Sequence, residues 1–318
     1  MHTSVIVNAP AKTNLFLFIG PLREDNYHDV TTVMCPLTLH DTITLTPLTA
    51  GDAPQVELEM SFEGISPIVI DPAQNLVTRA VTSMCAAFDR RGERFSVHLT
   101  KRIPSGAGLG GGSSDAAATL VALAQVWGIA FTDERLFEVA ASLGADVPYF
   151  LQGGAALMDD RGDRFVRSFP APDIPAVVIK PEQSVFTAEA YATFDVFAKA
   201  MTQEQAEASG ATMTSSFLGL LSALEEGDIK KICANVYNNM TDAACEIAPQ
   251  IKNILLATNS ISGVRGSFVS GSGSAVVVLC EDAKSVEKVA RIAEASEYWY
   301  AVASTTERGV AIEIDAIT

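Results

Sequence analysis

Five of the seven residues from Gly106 to Gly112 are glycine, within the run Pro104-Ser105-Gly106-Ala107-Gly108-Leu109-Gly110-Gly111-Gly112-Ser113-Ser114. The run passes straight into an alanine-rich segment, Asp115-Ala-Ala-Ala. Glycine permits positive φ and close approach of a ligand to the main chain, so several successive N–H groups can converge on one anion. At a helix N-terminus those donors add to the positive end of the helix dipole. The chemistry implied is the binding of a di- or triphosphate. A flexible glycine turn with Ser113 or Ser114 as an ordinary N-cap is the plainer alternative, but a run of glycines abutting a strong helix start favours the cradle. Familiar phosphate loops fit poorly. G-x-G-x-x-G matches at Gly106, Gly108 and Gly111, yet no βαβ unit precedes it, and Gly112 stands where the P-loop pattern requires lysine.

Phosphoryl transfer also needs a base or orienting acceptor for the attacking hydroxyl and a cation near the moving charge. Asp146, in Gly144-Ala-Asp-Val-Pro-Tyr-Phe150, is the best base candidate; its other reading is N-cap of the short helix that Pro148 would start. Lys12 is the one charge in the β-like stretch Asn8-Ala-Pro-Ala-Lys-Thr-Asn-Leu15. It is either an exposed edge residue or a buried cation with a purpose. Asn14, two residues on, shares its strand face. Lys101, Arg102, Arg161 and Arg164 are either a local basic cluster for a nucleotide or ordinary solvated surface.

The elements that must position these groups divide into two halves. The first opens with β-type segments at Ser4–Val7, Thr13–Ile19, Thr31–Thr46 and Val56–Phe62, then a helix at Asn75–Arg91 and a strand at Phe95–Thr100. Helices follow the glycine loop from Ser114 to about Trp127 and from Asp133 to Leu143, with a short helical turn at Val147–Leu151 and strands at Gly154–Asp159 and Asp163–Ser168. Three prolines in Pro170-Ala-Pro-Asp-Ile-Pro175 resist both helix and sheet and mark a boundary, giving domains 1–170 and 171–318. Beyond it, strands at Ala176–Ile179, Gly266–Val269, Ala275–Cys280 and Trp299–Ser304 alternate with helices around Thr187–Lys199, Ser215–Leu224, Asp228–Asn239, Ile247–Thr258 and Lys284–Ala295. The fold class is α+β, with a mixed sheet and helices first and a sandwich of helices on a mainly antiparallel sheet second. Disorder is expected only near Ala50–Pro54 and Thr202–Thr214.

The formal charge of −16 repels polyanions, which argues against nucleic acid as a partner. Cys35, Cys85, Cys233, Cys245 and Cys280 are odd in number, far apart and mostly within apolar runs, which predicts reduced thiols rather than disulfides or a zinc site. Without a signal-like start or a run of about 18 apolar residues, no membrane association and a cytoplasmic location are expected.

The run Pro104 to Ala117 resembles the ATP-binding motif of the GHMP kinases, the superfamily of galactokinase, homoserine kinase and mevalonate kinase. Ala9-Pro-Ala-Lys-Thr-Asn-Leu15 resembles the N-terminal motif, Gly144 to Phe150 the Gly-Ala-Asp-Val-Pro-Phe-Phe element, and Val269-Ser-Gly-Ser-Gly-Ser-Ala275 the third, glycine-rich motif. The triple glycine followed by Ser-Ser-Asp is similar to the branch that phosphorylates a hydroxyl of a cytidine diphosphate alcohol on the non-mevalonate route to isoprenoids. The resemblance implies a two-domain kinase with ATP and Mg²⁺, Lys12 and Asp146 as the catalytic pair, and Asn14 beside the acceptor. It places Gly271, Ser272 and Gly273 over the phosphates and acceptor, Asn75 beside the adenine, and Ser114 near Mg²⁺. For the cytidine it implies Tyr27 stacking on the ring, His28 bonding its edge, Tyr191 as the second aromatic and Thr187 at the diphosphate. Departures are Asn26 for glycine, Asp29 for glutamate and Phe186 for serine; asparagine tolerates positive φ, so the turn survives. A monomer or weak homodimer is expected. Two other readings stay open: a GHMP kinase for another small alcohol, which has no need of the aromatic trio, and a silent nucleotide-binding protein on the same scaffold.

Overall fold

The computed structural model describes residues 3–53 and 55–313. The first half runs β1 (Val5–Leu22), β2 (His28–Leu48), β3 (Gln55–Phe62), α1 (Leu76–Ala87), β4 (Arg94–Lys101), α2 (Gly111–Trp127), α3 (Glu134–Leu143), α4 (Val147–Gln152), β5 (Ala155–Asp159) and β6 (Arg164–Phe169). After the proline-rich connection come β7 (Pro175–Lys180), α5 (Thr187–Ala200), α6 (Gln203–Glu226), α7 (Ile229–Ala234), β8 (Tyr237–Asn238), α8 (Thr241–Ile247) and α9 (Gln250–Asn259). The chain closes with β9 (Val264–Val269), β10 (Val276–Cys280), α10 (Ala283–Ala295), β11 (Trp299–Ser304) and β12 (Ala311–Ile312).

One sheet has the order β12-β1-β2-β4-β3, with β5 and β6 continuing from β2 and β8 beside β1. It is mixed, because β3–β4 and β1–β8 are parallel and the remaining pairs antiparallel. The second sheet, β11-β7-β10-β9, is antiparallel throughout. The two β-type segments expected at the start are one long strand, β1. It forms a hairpin with β2 whose register shifts at Pro10/Lys12, Asn14/Phe16 and Ile19/Leu22. Such irregularities bend a strand and re-aim its side chains. β1 therefore threads three apolar clusters in turn, with Val7 and Ala9 in the first, Leu15 and Phe16 in the second, and Leu17 and Ile19 in the third. β8 and β12, late in the chain, also pair with β1, so segments of the second half complete the first sheet.

Two local expectations are corrected. Thr202–Thr214 is not disordered but opens α6, whose Thr202 and Gln205 form a reciprocal capping box, a T-x-x-Q signal readable in the sequence. The helix expected over Asp228–Asn239 stops at Ala234, and Tyr237–Asn238 pairs with β1 instead. Near Ala50 the described residues carry no regular structure, and Pro54 lies outside the described residues. The five cysteines are free, Cys245 being partly exposed and the others buried. Among the described residues, no helix is long and apolar enough to cross a membrane.

Candidate active site

α2 begins at Gly111, three residues before Ser114, and this shift makes the site. Its N-cap is Gly110, at φ 71°, and no side chain caps the helix. The first N–H groups of a helix lack intrahelical partners, so those of Gly111, Gly112 and Ser113, which line a cleft of about 370 Å³, are left for a ligand. A Cβ at Gly110 would lie 2.9 Å from Phe150 Cζ and 3.1 Å from Lys12 Cγ, so glycine is required by space as well as by φ. The helix behind is buried along Ser114–Ala124.

The glycine loop is fixed from two sides. The third motif docks on it: Ser274 N–H donates to Gly106 O (3.3 Å), Ala275 N–H to Ala107 O (3.1 Å), and Ser270 Oγ to Gly108 O (3.0 Å). Below it, Asp41 of β2 accepts the N–H groups of Arg102 and Ile103, and Lys101 Nζ pairs with both Asp41 and Asp115 of α2 (2.7 Å to Asp115). These three charged residues are buried. Burial pushes the Asp115 carboxyl up to about 8 against the pull of Lys101, while the flanking carboxylates hold Lys101 above the usual lysine value despite its own desolvation. Lys101 thus belongs to an internal ion cluster. Arg161 does line the cleft, whereas Arg102 and Arg164 pair with Glu63 and Asp159 on the surface.

Lys12 is buried at 5% exposure. Its N–H donates to Leu109 O (2.9 Å), and Nζ donates to Asn14 Oδ1 (2.7 Å). Asn14 Nδ2 donates to Thr32 Oγ1 (2.8 Å), and that hydroxyl donates to Phe16 O (2.7 Å). This relay orients the Asn14 amide so that its oxygen faces the ammonium. Burial lowers the Lys12 pKa and the nearby Asp146 carboxylate partly restores it. Asp146 occupies the N-cap position of α4, but its side chain makes no capping hydrogen bond. Its carboxylate lines the cleft with Lys12 and Asn14. Thr187 and Tyr191 of α5 also line the cleft, and burial followed by the Asp146 charge raises the Tyr191 hydroxyl to about 12. Gly271 and Ser272 line it as well, and Thr187 Oγ1 lies 3.4 Å from Ser272 Oγ.

The remaining expected residues stand apart. Asn75 is an N-cap: its Oδ1 accepts Val77 N–H (2.9 Å), and the following Leu76 lines the cleft instead. Ser114 is buried behind Ser113, its Oγ without a partner. Ser105 is exposed beside a neighbouring cavity, and Gly273 forms the turn through its N–H to Ser270 O (2.9 Å). Tyr27 is half-exposed at the hairpin tip, where Arg161 lies 4.9 Å over its ring. Asn26 holds φ 62°, as its position demands. His28 is buried with both ring nitrogens engaged, Nδ1 with Gly20 O at 2.8 Å and Nε2 facing Asp195 at 3.4 Å, so its ring edge does not open into the cleft. Phe186 is the uncapped N-cap of α5, where a serine hydroxyl would have closed the helix. Thr32 and Asp41 act at the site through strand pairing and packing, and no local spacing announces them.

A glycine-rich helix start, a buried lysine and a free carboxylate at one cleft define a small-molecule kinase of the GHMP class. The GHMP kinases N terminal domain profile matches residues 75–154 and the GHMP kinases C terminal profile residues 220–298. A 4-diphosphocytidyl-2-C-methyl-D-erythritol kinase of Pelotomaculum thermopropionicum is 36% identical over 89% of this chain and 91% of its own length. A crystal structure of 4-(cytidine 5'-diphospho)-2C-methyl-D-erythritol kinase aligns at TM-score 0.72 and 30% identity, covering 95% of this chain and 99% of that one. Homoserine kinase from Cytophaga hutchinsonii shares the fold at TM-score 0.74 and 19% identity, over 98% of each chain. The chain belongs to the family of 4-diphosphocytidyl-2-C-methyl-D-erythritol kinases.

Proposed function

We propose that this protein transfers the γ-phosphoryl group of ATP to the 2-hydroxyl of 4-diphosphocytidyl-2-C-methyl-D-erythritol, a step of the non-mevalonate route to isoprenoids. The observation that carries the reading is the convergence of Lys12, Asn14 and Asp146 on the cleft lined by the uncapped start of α2. ATP phosphates lie along the N–H groups of Gly111, Gly112 and Ser113. Asp146 orients the 2-hydroxyl and accepts its proton as the oxygen bonds to the γ-phosphorus, and the bond from that phosphorus to the bridging oxygen breaks to release ADP. The Lys12 ammonium stabilises the carboxylate and the charge growing on the attacking oxygen. Asn14, held by Thr32, fixes the ammonium through its amide oxygen. Tyr191 supplies one face of the pyrimidine site and Thr187 the diphosphate contact, with His28 packed against Tyr191 and Tyr27 next to it at the hairpin tip.

Mg²⁺ fits as an ion that arrives with the nucleotide. Among the described residues no cluster of three or more histidine, cysteine, aspartate or glutamate side chains could hold a metal, and Mg²⁺ commonly takes one or two carboxylates plus phosphate oxygens. Asp146 and the hydroxyl of Ser113 on the cleft wall, with the unpartnered Ser114 hydroxyl behind them, are the donors that would hold it. When bound, it neutralises the phosphate oxygens.

Asp146→Ala tests the reading. Turnover of the cytidine substrate, followed as ADP release, should fall by about 10³-fold or more while ATP binding measured by calorimetry persists. Full turnover in the variant would sink the mechanism.

A further inference from the structure

His28 begins β2 at the tip of the long hairpin, next to Tyr27, and is 7% exposed. Its Nδ1 lies 2.8 Å from Gly20 O, and since a carbonyl only accepts, that nitrogen carries the hydrogen. Its Nε2 faces Asp195 Oδ1 at 3.4 Å. The imidazole lies 5.3 Å from the Tyr191 ring and meets the Phe194 ring edge-on at 6.1 Å. Thr187, Tyr191 and Asp195 follow one another at four-residue spacing along α5, which sets them on one face of that helix. The first two wall the cleft; the third grips the hairpin. Among the described residues, His28 is the only ion-pair partner of Asp195, so this carboxylate is not part of a surface charge network.

We propose that Asp195 is a positioning residue for base selectivity: by holding His28 against α5 it fixes the imidazole that packs on Tyr191, the aromatic residue of the cleft against which the substrate pyrimidine is held. The inference rests on the reading of the substrate as a cytidine diphosphate alcohol. Two independent elements meet beside that base, the hairpin tip and α5, through the His28 and Tyr191 rings. The hairpin tip is restrained on its other side by Arg23, which pairs with Asp25 (2.8 Å) and with Asp160. Toward α5 it is restrained by the aromatic contacts of His28, which resist sliding weakly, and by the directional contact with Asp195. An ion pair or hydrogen bond fixes ring orientation where stacking alone does not. With Nδ1–H bound to Gly20 O, Nε2 donates to Asp195 only as the second N–H of an imidazolium; removing the carboxylate takes away the charged partner that ties His28 to α5 and loosens the packing beside Tyr191 without touching the glycine loop, Lys12 or Asp146.

The test compares the full-length protein with Asp195→Ala and Asp195→Asn. Steady-state kinetics are measured with the cytidine substrate, its uridine counterpart and ATP, and CDP binding is measured by calorimetry. In Asp195→Ala, KM for the cytidine substrate should rise about tenfold and the cytidine-over-uridine preference should narrow by a similar factor. kcat at saturation and KM for ATP should stay within about twofold of wild type. Asp195→Asn, which keeps an oxygen facing Nε2, should fall between the two and serves if the alanine variant does not fold. Unchanged KM and preference would overturn the proposal, and so would a parallel rise in KM for ATP, which marks a merely structural role. Absence of turnover of the cytidine substrate by the wild-type protein would instead overturn the substrate reading. CDP binding then still judges Asp195, since equal affinity in wild type and variant refutes it.

Discussion

Gly271→Ala probes the junction between the third glycine motif and Lys12. Gly271 sits at φ +56°, and a Cβ there would lie 3.1 Å from Gly108 O, 3.2 Å from Lys12 Nζ and 3.4 Å from Asn14 Oδ1. Two effects follow and can be separated. The left-handed backbone conformation costs a non-glycine residue about 1–2 kcal/mol wherever it occurs. The contact with Nζ is local: the ammonium must retreat by a few tenths of an ångström, and its 2.7 Å bond to Asn14 Oδ1 leaves little slack in that direction. A misplacement of about 1 Å is worth about 100-fold in rate, so a shift of a few tenths should lower kcat about 3- to 10-fold. Gly227→Ala is the control, because Gly227 has φ +68° and nothing within 4 Å of an added Cβ. Both variants should lose about 1–2 kcal/mol of stability in urea unfolding, but only Gly271→Ala should lose turnover in a coupled ADP-release assay. If the two retain equal activity per folded molecule, Gly271 does not act on Lys12 and the reasoning fails.

Because burial holds Lys12 below its ordinary 10.5, its ammonium is lost as pH rises through that lowered value; the alkaline limb of kcat should fall below pH 10.5 and move upward in Lys12→Arg, and a limb at or above 10.5 in the wild type would contradict this. The Asp115 carboxyl is raised from 3.8 to about 8, so the folded state keeps a proton that the unfolded chain releases between those values, and stability should decline as pH rises through that window. Urea midpoints at about pH 5 and about pH 8 should differ for this reason in the wild type, and Asp115→Asn should flatten that component; an unchanged slope would refute it. Phe186→Ser should supply α5 with its missing cap and stabilise the protein by about 1 kcal/mol in thermal unfolding, with a neutral or destabilising result counting against the cap assignment.

Much of the site was legible because its parts are local. The glycine run declares an anion cradle through backbone freedom alone, and the alternation of a strand puts Lys12 and Asn14 on one face whatever lies beside them. Capping signals are equally local: Asp133 caps α3 through Arg135 N–H, and the Thr202–Gln205 box opens a helix over residues expected to be disordered. Asn75 is another such cap, its Oδ1 accepting Val77 N–H at the start of α1.

The sequence by itself determined the glycine-rich approach to a helix, the candidate base and cation, and the succession of a mixed and an antiparallel sheet, because each depends on propensities and periodicities within a few residues. Only the tertiary structure decided which of these groups meet. The bulged pairing of β1 with β2 brings Thr32 to Asn14, and the docking of the Ser270–Ala275 turn on the glycine loop closes the cleft. Packing of α5 across the hairpin sets Asp195 against His28 and gives an unremarked carboxylate a place beside the base site. Register and burial are properties of the whole packed chain, and a side chain's partner across the fold leaves no mark in its own neighbourhood of sequence.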